Sequence, residues 1–299
     1  MGKGPRRQAV LIAGPTASGK SALALMKARQ TGAAIVNTDA MQVYDVLRVL
    51  TARPSPAETE EVPHFLYGTV PPGERFSTGD WLRAVQSLLQ RPDVSGRPLI
   101  FVGGTGLYFD ALLHGFAEVP VVPAEITRQV ESEVAGLDRE GRARLLAERD
   151  LDMATRLQAH DPQRVVRALS VLRATGRSLA SFQGATQAGL LEGFDVERLV
   201  LNPDRDVLRE RIALRFAGMF ESGAVEEVKA LLQLGLDPSL PAMKAIGVRE
   251  ISDWLDGRMS REAAIERAII ATRQYAKRQR TWFRNRMADW TWVDSLARP

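Results

Sequence analysis

Gly14-Pro15-Thr16-Ala17-Ser18-Gly19-Lys20-Ser21 follows the apolar run Val10-Leu11-Ile12-Ala13 and leads into Ala22-Leu23-Ala24-Leu25, a stretch of helical character. The pattern is G-x-x-x-x-G-K-[ST] in the strand-then-helix setting that a phosphate-binding loop requires. Glycines let backbone amides wrap an anion, the helix N-terminus adds partial positive charge, and the lysine neutralises terminal phosphate oxygens. Gly14, Pro15, Thr16, Ala17, Ser18, Gly19, Lys20 and Ser21 are therefore expected to cradle a diphosphate or triphosphate, with the Ser21 hydroxyl placed on Mg2+.

Outward from this loop, short apolar or β-branched runs recur at Gln8 to Ala13, Ala33 to Asn37, His64 to Thr69, Pro98 to Val102 and Arg198 to Leu201. Most are followed by a loop and a helical pattern, the βαβ rhythm of a parallel sheet covered by helices. The expected class is α/β, a P-loop NTPase-like parallel sheet flanked by helices. Ser77-Thr78-Gly79-Asp80 before Trp81 reads as a capping box opening a helix. From about Pro120 to Gly193 the rhythm breaks into Arg-, Glu-, Leu- and Ala-rich helical spacing without a strand. The expected organisation is a core over residues 1–119, a helical insertion over 120–193, and a second core part over 194–299 that is mostly helical and ends in a basic helix.

Composition narrows the chemistry. With 45% hydrophobic and 25% charged residues the chain reads as an ordinary globular protein, and with no cysteine it has no disulfide, thiolate metal site or cysteine nucleophile. No apolar run approaches the roughly 18 residues needed to span a bilayer, and the start lacks a secretory h-region. A soluble, cytoplasmic protein with no membrane partner is expected. The net charge is +4, yet Arg267 to Arg286 holds seven basic residues and no acidic one, so the surplus lies in one segment.

A phosphate cradle does not name a reaction. Asp39, at the end of the run Ala34 to Asp39, reads as a metal ligand or a base, with a plain surface turn as the alternative. A P-loop kinase of a small metabolite, and an RNA-binding protein with a regulatory nucleotide site, are the competing readings. Asp39-Ala40-Met41-Gln42-Val43-Tyr44 followed by Thr51-Ala52-Arg53-Pro54 resembles the D-S-x-Q-V-Y … G-T-A-K-P signature of the tRNA dimethylallyltransferase family. The likeness continues through Phe76 to Trp81, Val102 to Tyr108, Asp161 to Leu169, Met219 to Gly223, Ala245 to Gly247 and Thr272 to Arg284, nearly the whole chain. Departures occur at Ala40, Leu50, Arg53, Phe65, Gly68, Val248 and Arg249, where the pattern has Ser, Gly, Lys, His, Asp, Tyr and Lys.

The resemblance implies transfer of a dimethylallyl group from dimethylallyl diphosphate to the N6 amine of an adenine next to the anticodon of tRNA, with release of diphosphate. It implies Asp39 as general base, Thr105 beside the reacting centre, Mg2+ as cofactor, and a monomer acting on the anticodon stem-loop. It also implies an RNA path over Asp39, Ala40, Met41, Gln42, Thr105, Arg128, Gln163, Arg164, Val165, Val166, Arg167, Met243, Lys244, Ala245, Ile246, Gly247 and Val248. The path continues over Lys277, Arg278, Gln279, Arg280, Thr281, Trp282, Phe283 and Arg284. Gly103, Gly104 and Gly106 read as tight backbone turns, since no lysine follows them.

Independently of the resemblance, Arg273, Lys277, Arg280 and Arg284 fall within about 60° on a helix, beside a stripe of Ile265, Ile269, Thr272, Ala276 and Phe283. Tyr275, Gln279 and Trp282 form a third line, where an aromatic ring can stack on an unpaired base. The basic face is expected to meet RNA phosphates.

Overall fold

Strand β1 (Gln8–Ala13) enters the middle of a six-stranded parallel sheet, flanked by β4 (Leu99–Gly103) and β5 (Asp195–Leu201). With β2 (Ala34–Asn37), β3 (His64–Phe65) and β6 (Thr291–Val293) the order is β3-β2-β4-β1-β5-β6. The computed structural model describes residues 6–117, 119–158, 161–182 and 188–294. Both faces of the sheet are covered. Ala9, Leu11 and Ala13 of β1 pack with Trp81, Phe109 and Phe283, whereas Ile12 packs with Leu23, Ala24 and Ile100 on the other side. That two-sided burial is why these strands read as continuous apolar runs.

Helices α1 (Lys20–Thr31), α2 (Pro56–Glu61), α3 (Thr78–Leu89) and α4 (Gly106–His114) follow the first strands. The expected capping box opens α3: Asp80 N–H donates to Ser77 Oγ (3.2 Å) and Ser77 N–H donates to Asp80 Oδ2 (2.9 Å). Such a cap stabilises by about 1 kcal/mol. The third strand is shorter than the His64 to Thr69 run. Leu66 takes φ 63° and Gly68 φ 58°, so the chain turns off the sheet after Phe65, and Asn37 Nδ2 holds the turn through Leu66 O (3.0 Å). The edge strand β6 follows α13 in a stretch where no strand is expected; its pairing of Val200 with Trp292 is a long-range contact that periodicity does not encode.

The chain forms two compact units, Met1–Leu113 with Leu190–Pro299, and His114–Gly189. The second is helical: α5 (Ala124–Val134), α6 (Arg139–Arg149), α7 (Leu151–Arg156), α8 (Pro162–Thr175) and α9 (Leu179–Phe182) enclose Val130, Leu146, Met153, Val165, Ala168 and Leu169. The first unit is completed by α10 (Arg205–Glu221), α11 (Ala224–Gln233), a 3-10 turn (Ala242–Lys244), α12 (Val248–Leu255) and the long α13 (Arg261–Arg286). Among the described residues no helix is long and apolar enough to cross a membrane.

Candidate active site

Three neighbouring strands, β2, β4 and β1, end together, and their C-terminal loops carry Asp39, Thr105 and the 14–21 loop; in open parallel sheets this edge is where ligands bind. Within the 14–21 loop Ala17 and Gly19 both take positive φ (64° and 91°), backbone of the kind that forms anion-binding nests, and Ser18 N–H closes a turn onto Pro15 O (3.2 Å) before α1 begins. A Cβ on Gly14 would stand 2.7 Å from Ser18 Oγ and 3.2 Å from Leu201 O, so a side chain there would push on the loop and on the end of β5. Lys20 Nζ donates to Pro15 O (3.2 Å), folding the lysine back along the loop. A cleft of about 580 Å³ opens over it, lined by Ala17 to Ala22, Ala52, Arg211, Leu214 and Arg215.

Arg215 was not legible in the signature motifs. It belongs to the row Leu208, Ile212, Arg215, Met219 of α10, whose other three members are buried, and a cation in an apolar helical row is the signal that points to it. Its guanidinium donates to the Thr16 hydroxyl at the mouth of the cradle.

Asn37 shapes the acidic loop. Its Oδ1 accepts Asp39 N–H (2.9 Å) and its Nδ2 donates to Asp39 O (3.0 Å), while Asp39 Oδ1 accepts Met41 N–H (3.0 Å). Trp81 Nε1 braces the same asparagine through its carbonyl (2.9 Å). Thr105 Oγ1 accepts Ala40 N–H (2.9 Å), and Thr105 N–H donates to Thr38 O (3.2 Å), so the two loops are laced together. The bond to Thr105 comes from the backbone of residue 40, so alanine in place of serine leaves it intact.

The glycines of the 103–106 turn serve close approach; none of the three has a positive φ, contrary to the reading as tight turns. A Cβ would stand 2.0 Å from Thr38 O at Gly103, 2.1 Å from Gln279 Nε2 at Gly104, and 2.1 Å from Trp282 Cε3 at Gly106. At these three positions the loop is packed against Thr38, at the end of β2, or against α13, with no room for a side chain. Two other departures explain each other: the Arg53 guanidinium, donating to Tyr44 O and Asp45 O (2.7 Å each), occupies the space that a side chain at residue 68 would fill.

Burial pushes the Lys20 amine down to about 8, opposed by the negative charge of Asp39 and reinforced by Arg215. Arg215 is likewise lowered by burial, with Asp39 opposing. Tyr67 and Tyr275 are raised, first by burial and then by Asp39, which places both rings in the field of that carboxylate. Two desolvated cations around one carboxylate form an anion site with spare positive charge. Only the ammonium form of Lys20 attracts phosphate oxygens, so affinity for a diphosphate is expected to be nearly full at about pH 7, to be roughly halved at about pH 8 and to be about tenfold below its full value at about pH 9, as one proton titrates. Diphosphate affinity measured across that range checks this. Lys20→Met should bind weakly with a flat profile, and a flat wild-type profile would refute the assignment.

Along α13 a groove of about 490 Å³ is lined by Gln274, Lys277, Arg278, Thr281, Trp282 and Asn285. Trp282 backs this groove and packs on Gly106, beside Thr105. The buried row is Ala264, Ala268, Thr272, Ala276, Gln279 and Phe283, rotated from the expected stripe, with Ile265 and Ile269 half-buried at its edge. Gln279 and Phe283 therefore present no side chain to an RNA. Arg280 is half-buried near Arg205, Arg284 and Asp204, so it leaves the expected free face and has a carboxylate in its field; Arg273, Lys277 and Arg284 remain exposed. In the stretch 243–248, Lys244 is exposed, Met243 and Ile246 are half-buried, and Ala245 and Val248 are core residues. Gln42 Nε2 is used internally, donating to Thr51 O and Ala52 O (2.9 Å each).

In the helical unit Gln163, Arg164 and Arg167 are exposed at the start of α8, and Val166 is half-buried. Val165 lies in that unit's core, which rules its side chain out of an RNA contact. Arg128 is exposed and paired with Glu125 (2.6 Å). Among the described residues no group of three or more His, Cys, Asp or Glu side chains is disposed to hold a metal.

The IPP transferase family model matches residues 42–286 and the isopentenyl transferase model residues 7–67. The chain is 53% identical over 287 residues to the tRNA dimethylallyltransferase of Agrobacterium fabrum, covering 95% of each, and 52% identical to that of a Chelativorans species, covering 94% of this chain and 97% of the relative. The crystal structure of a tRNA isopentenylpyrophosphate transferase from Bacillus halodurans superposes with a TM-score of 0.65 at 32% identity, covering 97% of this chain and 90% of that one. A eukaryotic dimethylallyltransferase captured acting on tRNA gives 0.79 at 27% identity, covering 96% and 74%. With a phosphate cradle, a laced aspartate and threonine, and relatives matched over nearly their full length, the chain belongs to the tRNA dimethylallyltransferase family.

Proposed function

We propose that this chain transfers a dimethylallyl group from dimethylallyl diphosphate to the N6 amine of an adenine next to the anticodon of tRNA. The observation that carries the reading is that the parallel neighbours β1, β4 and β2 bring the 14–21 loop, Thr105 and Asp39 to one edge of the sheet, with Lys20 and Arg215 in the field of the Asp39 carboxylate. A leaving-group site and a proton acceptor therefore lie side by side. The reaction forms a bond from N6 to the prenyl C1, breaks the C1–O bond to diphosphate, and passes an N6 proton to Asp39. Lys20, Arg215 and the α1 N-terminus stabilise the departing diphosphate, usually the largest contribution to such a step. Thr105, whose Oγ1 already accepts from Ala40, retains its hydroxyl proton to donate toward the reacting groups.

Mg2+ fits this cradle. Ser21 lines the cleft in the first turn of α1, and a hydroxyl plus donor phosphate oxygens and water is the ligand set magnesium accepts. When bound, it would add positive charge at the leaving oxygens.

An adenine stacked in a loop must leave the stack to reach such a site. The groove of Lys277, Arg278 and Trp282 beside the 104–106 turn supplies cations for phosphates and a ring for a neighbouring base. Because Arg280 is half-buried, the informative pair of exposed cations is Lys277 and Arg284. Replacing both by alanine is expected to weaken tRNA binding and flatten the plot of log affinity against log salt by roughly 1.4, at about 0.7 per phosphate contact, with donor affinity unchanged. Filter binding at several salt concentrations measures this, and an unaltered slope and affinity would move the RNA site elsewhere.

The deciding experiment incubates the protein with labelled dimethylallyl diphosphate and unmodified tRNA. Label in the tRNA is expected. Efficient transfer or hydrolysis of the γ-phosphate of ATP, with no use of the prenyl donor, would instead favour the kinase reading.

A further inference from the structure

We infer that Gln279 is a positioning residue for prenyl transfer, a buried strut of α13 that locks the diphosphate cradle to the loop bearing Thr105. This rests on the proposed function. The amide sits in an otherwise nearly apolar row, is only 5% exposed, and is one of two polar side chains buried on α13. Buried there without partners it would be costly, and both its polar atoms are used. Oε1 accepts Thr16 N–H (3.0 Å) and Nε2 donates to Gly104 O (2.9 Å). Reversing the amide would set NH2 against N–H and oxygen against oxygen, so the partners themselves fix its orientation.

The two partners lie on different sides of the reaction. Thr16 belongs to the loop that would hold the donor, and Arg215 grips the same residue by its hydroxyl. Gly104 precedes Thr105, and a Cβ on it would stand 2.1 Å from Gln279 Nε2 and 3.2 Å from Asp39 Oδ2. The strut, the carboxylate and the 104–105 turn are thus packed around a single glycine. One side chain spans 263 residues of sequence to the first loop and 175 to the second. The Thr16 amide is spent on this tether and is not among those turned toward phosphate.

Rate in a two-substrate transfer depends on the attacking and departing atoms being held in line, and displacement by about 1 Å can cost about 10²-fold. Gln279 sets that spacing without touching either substrate. It also sits between Arg278 and Trp282 in sequence, so the helix whose outer face lines the basic groove is the one whose inner face grips both loops. A nucleic acid seated on α13 is thereby seated in register with the cradle.

Two variants test the strut. Gln279→Met keeps length and approximate volume but makes neither hydrogen bond, whereas Gln279→Glu keeps an acceptor for Thr16 N–H and loses the donor to Gly104 O. Both are to be compared with wild type by single-turnover rate at saturating dimethylallyl diphosphate and tRNA, by separate donor and tRNA affinities, and by thermal unfolding. A fall in rate of about 30- to 100-fold in each, with both affinities within about threefold of wild type, is the expected result. Rates within about threefold of wild type would overturn the inference. So would a fall matched by equal losses of donor affinity and melting temperature, the pattern of a merely structural residue. If Gln279→Met does not fold, Gln279→Glu decides by the same criteria. A wild-type protein that transfers no prenyl group at all would sink the proposed function rather than the strut.

Discussion

Asp39→Asn is expected to lower turnover by about 10²-fold or more without weakening donor or tRNA affinity by more than about threefold, because it removes the proton acceptor, and the negative charge lost beside Lys20 and Arg215 is one that opposes a bound diphosphate. The geometry makes this substitution clean. Asp39 Oδ1 is engaged by Met41 N–H and the backbone of residue 39 is held by Asn37, so an asparagine can keep Oδ1 in place and put its NH2 where Oδ2 stood. Oδ2 is the atom that faces the 104–105 turn, 3.2 Å from where a Cβ on Gly104 would lie. An NH2 there donates where the reaction needs an acceptor. Single-turnover chemistry followed at saturating substrates measures the loss. A near-normal rate would remove Asp39 from proton transfer and leave it a turn-forming role.

What the sequence made legible follows from how local each signal is. The cradle could be read because a strand, eight residues and a helix start carry the entire phosphate-binding argument. β1, β2 and β4 could be read because burial on both faces makes them continuous apolar runs. The ends of the sheet were harder: β3 stops where Leu66 adopts a left-handed φ, and β6 is three residues paired with a strand about ninety positions earlier. The site was partly hidden for a different reason. Arg215 and Gln279 are polar residues in apolar helical rows, and periodicity treats such residues as blemishes in a stripe rather than as groups aimed inward. The 103–106 glycines stand out in the sequence, but a tight turn and a close approach look alike until the neighbour from α13 is in place. Arg280 illustrates the same limit: a wheel places it with Lys277 and Arg284, but its surroundings are set by Asp204 and Arg205 at the start of α10.

Arg215→Met is expected to reduce the transfer rate by about 10²- to 10³-fold, the scale on which removing one preorganised stabiliser of developing charge acts. The same substitution should leave the free protein at least as stable as wild type. Among the described residues Arg215 has no carboxylate within salt-bridge distance, and its guanidinium and the Lys20 amine are both desolvated with Asp39 as their shared countercharge. An incompletely neutralised buried cation is a cost that a diphosphate offsets when it binds, and methionine removes the cost together with the function. Inorganic diphosphate should therefore raise the melting temperature of wild type, and raise that of Arg215→Met much less. Arg215→Lys, which keeps the charge but loses the planar fork that reaches the Thr16 hydroxyl, is expected to fall between the two in rate. A methionine variant that melts well below wild type yet binds diphosphate normally would show that Arg215 supports the fold of α10 against the cradle and takes no part in holding the leaving group.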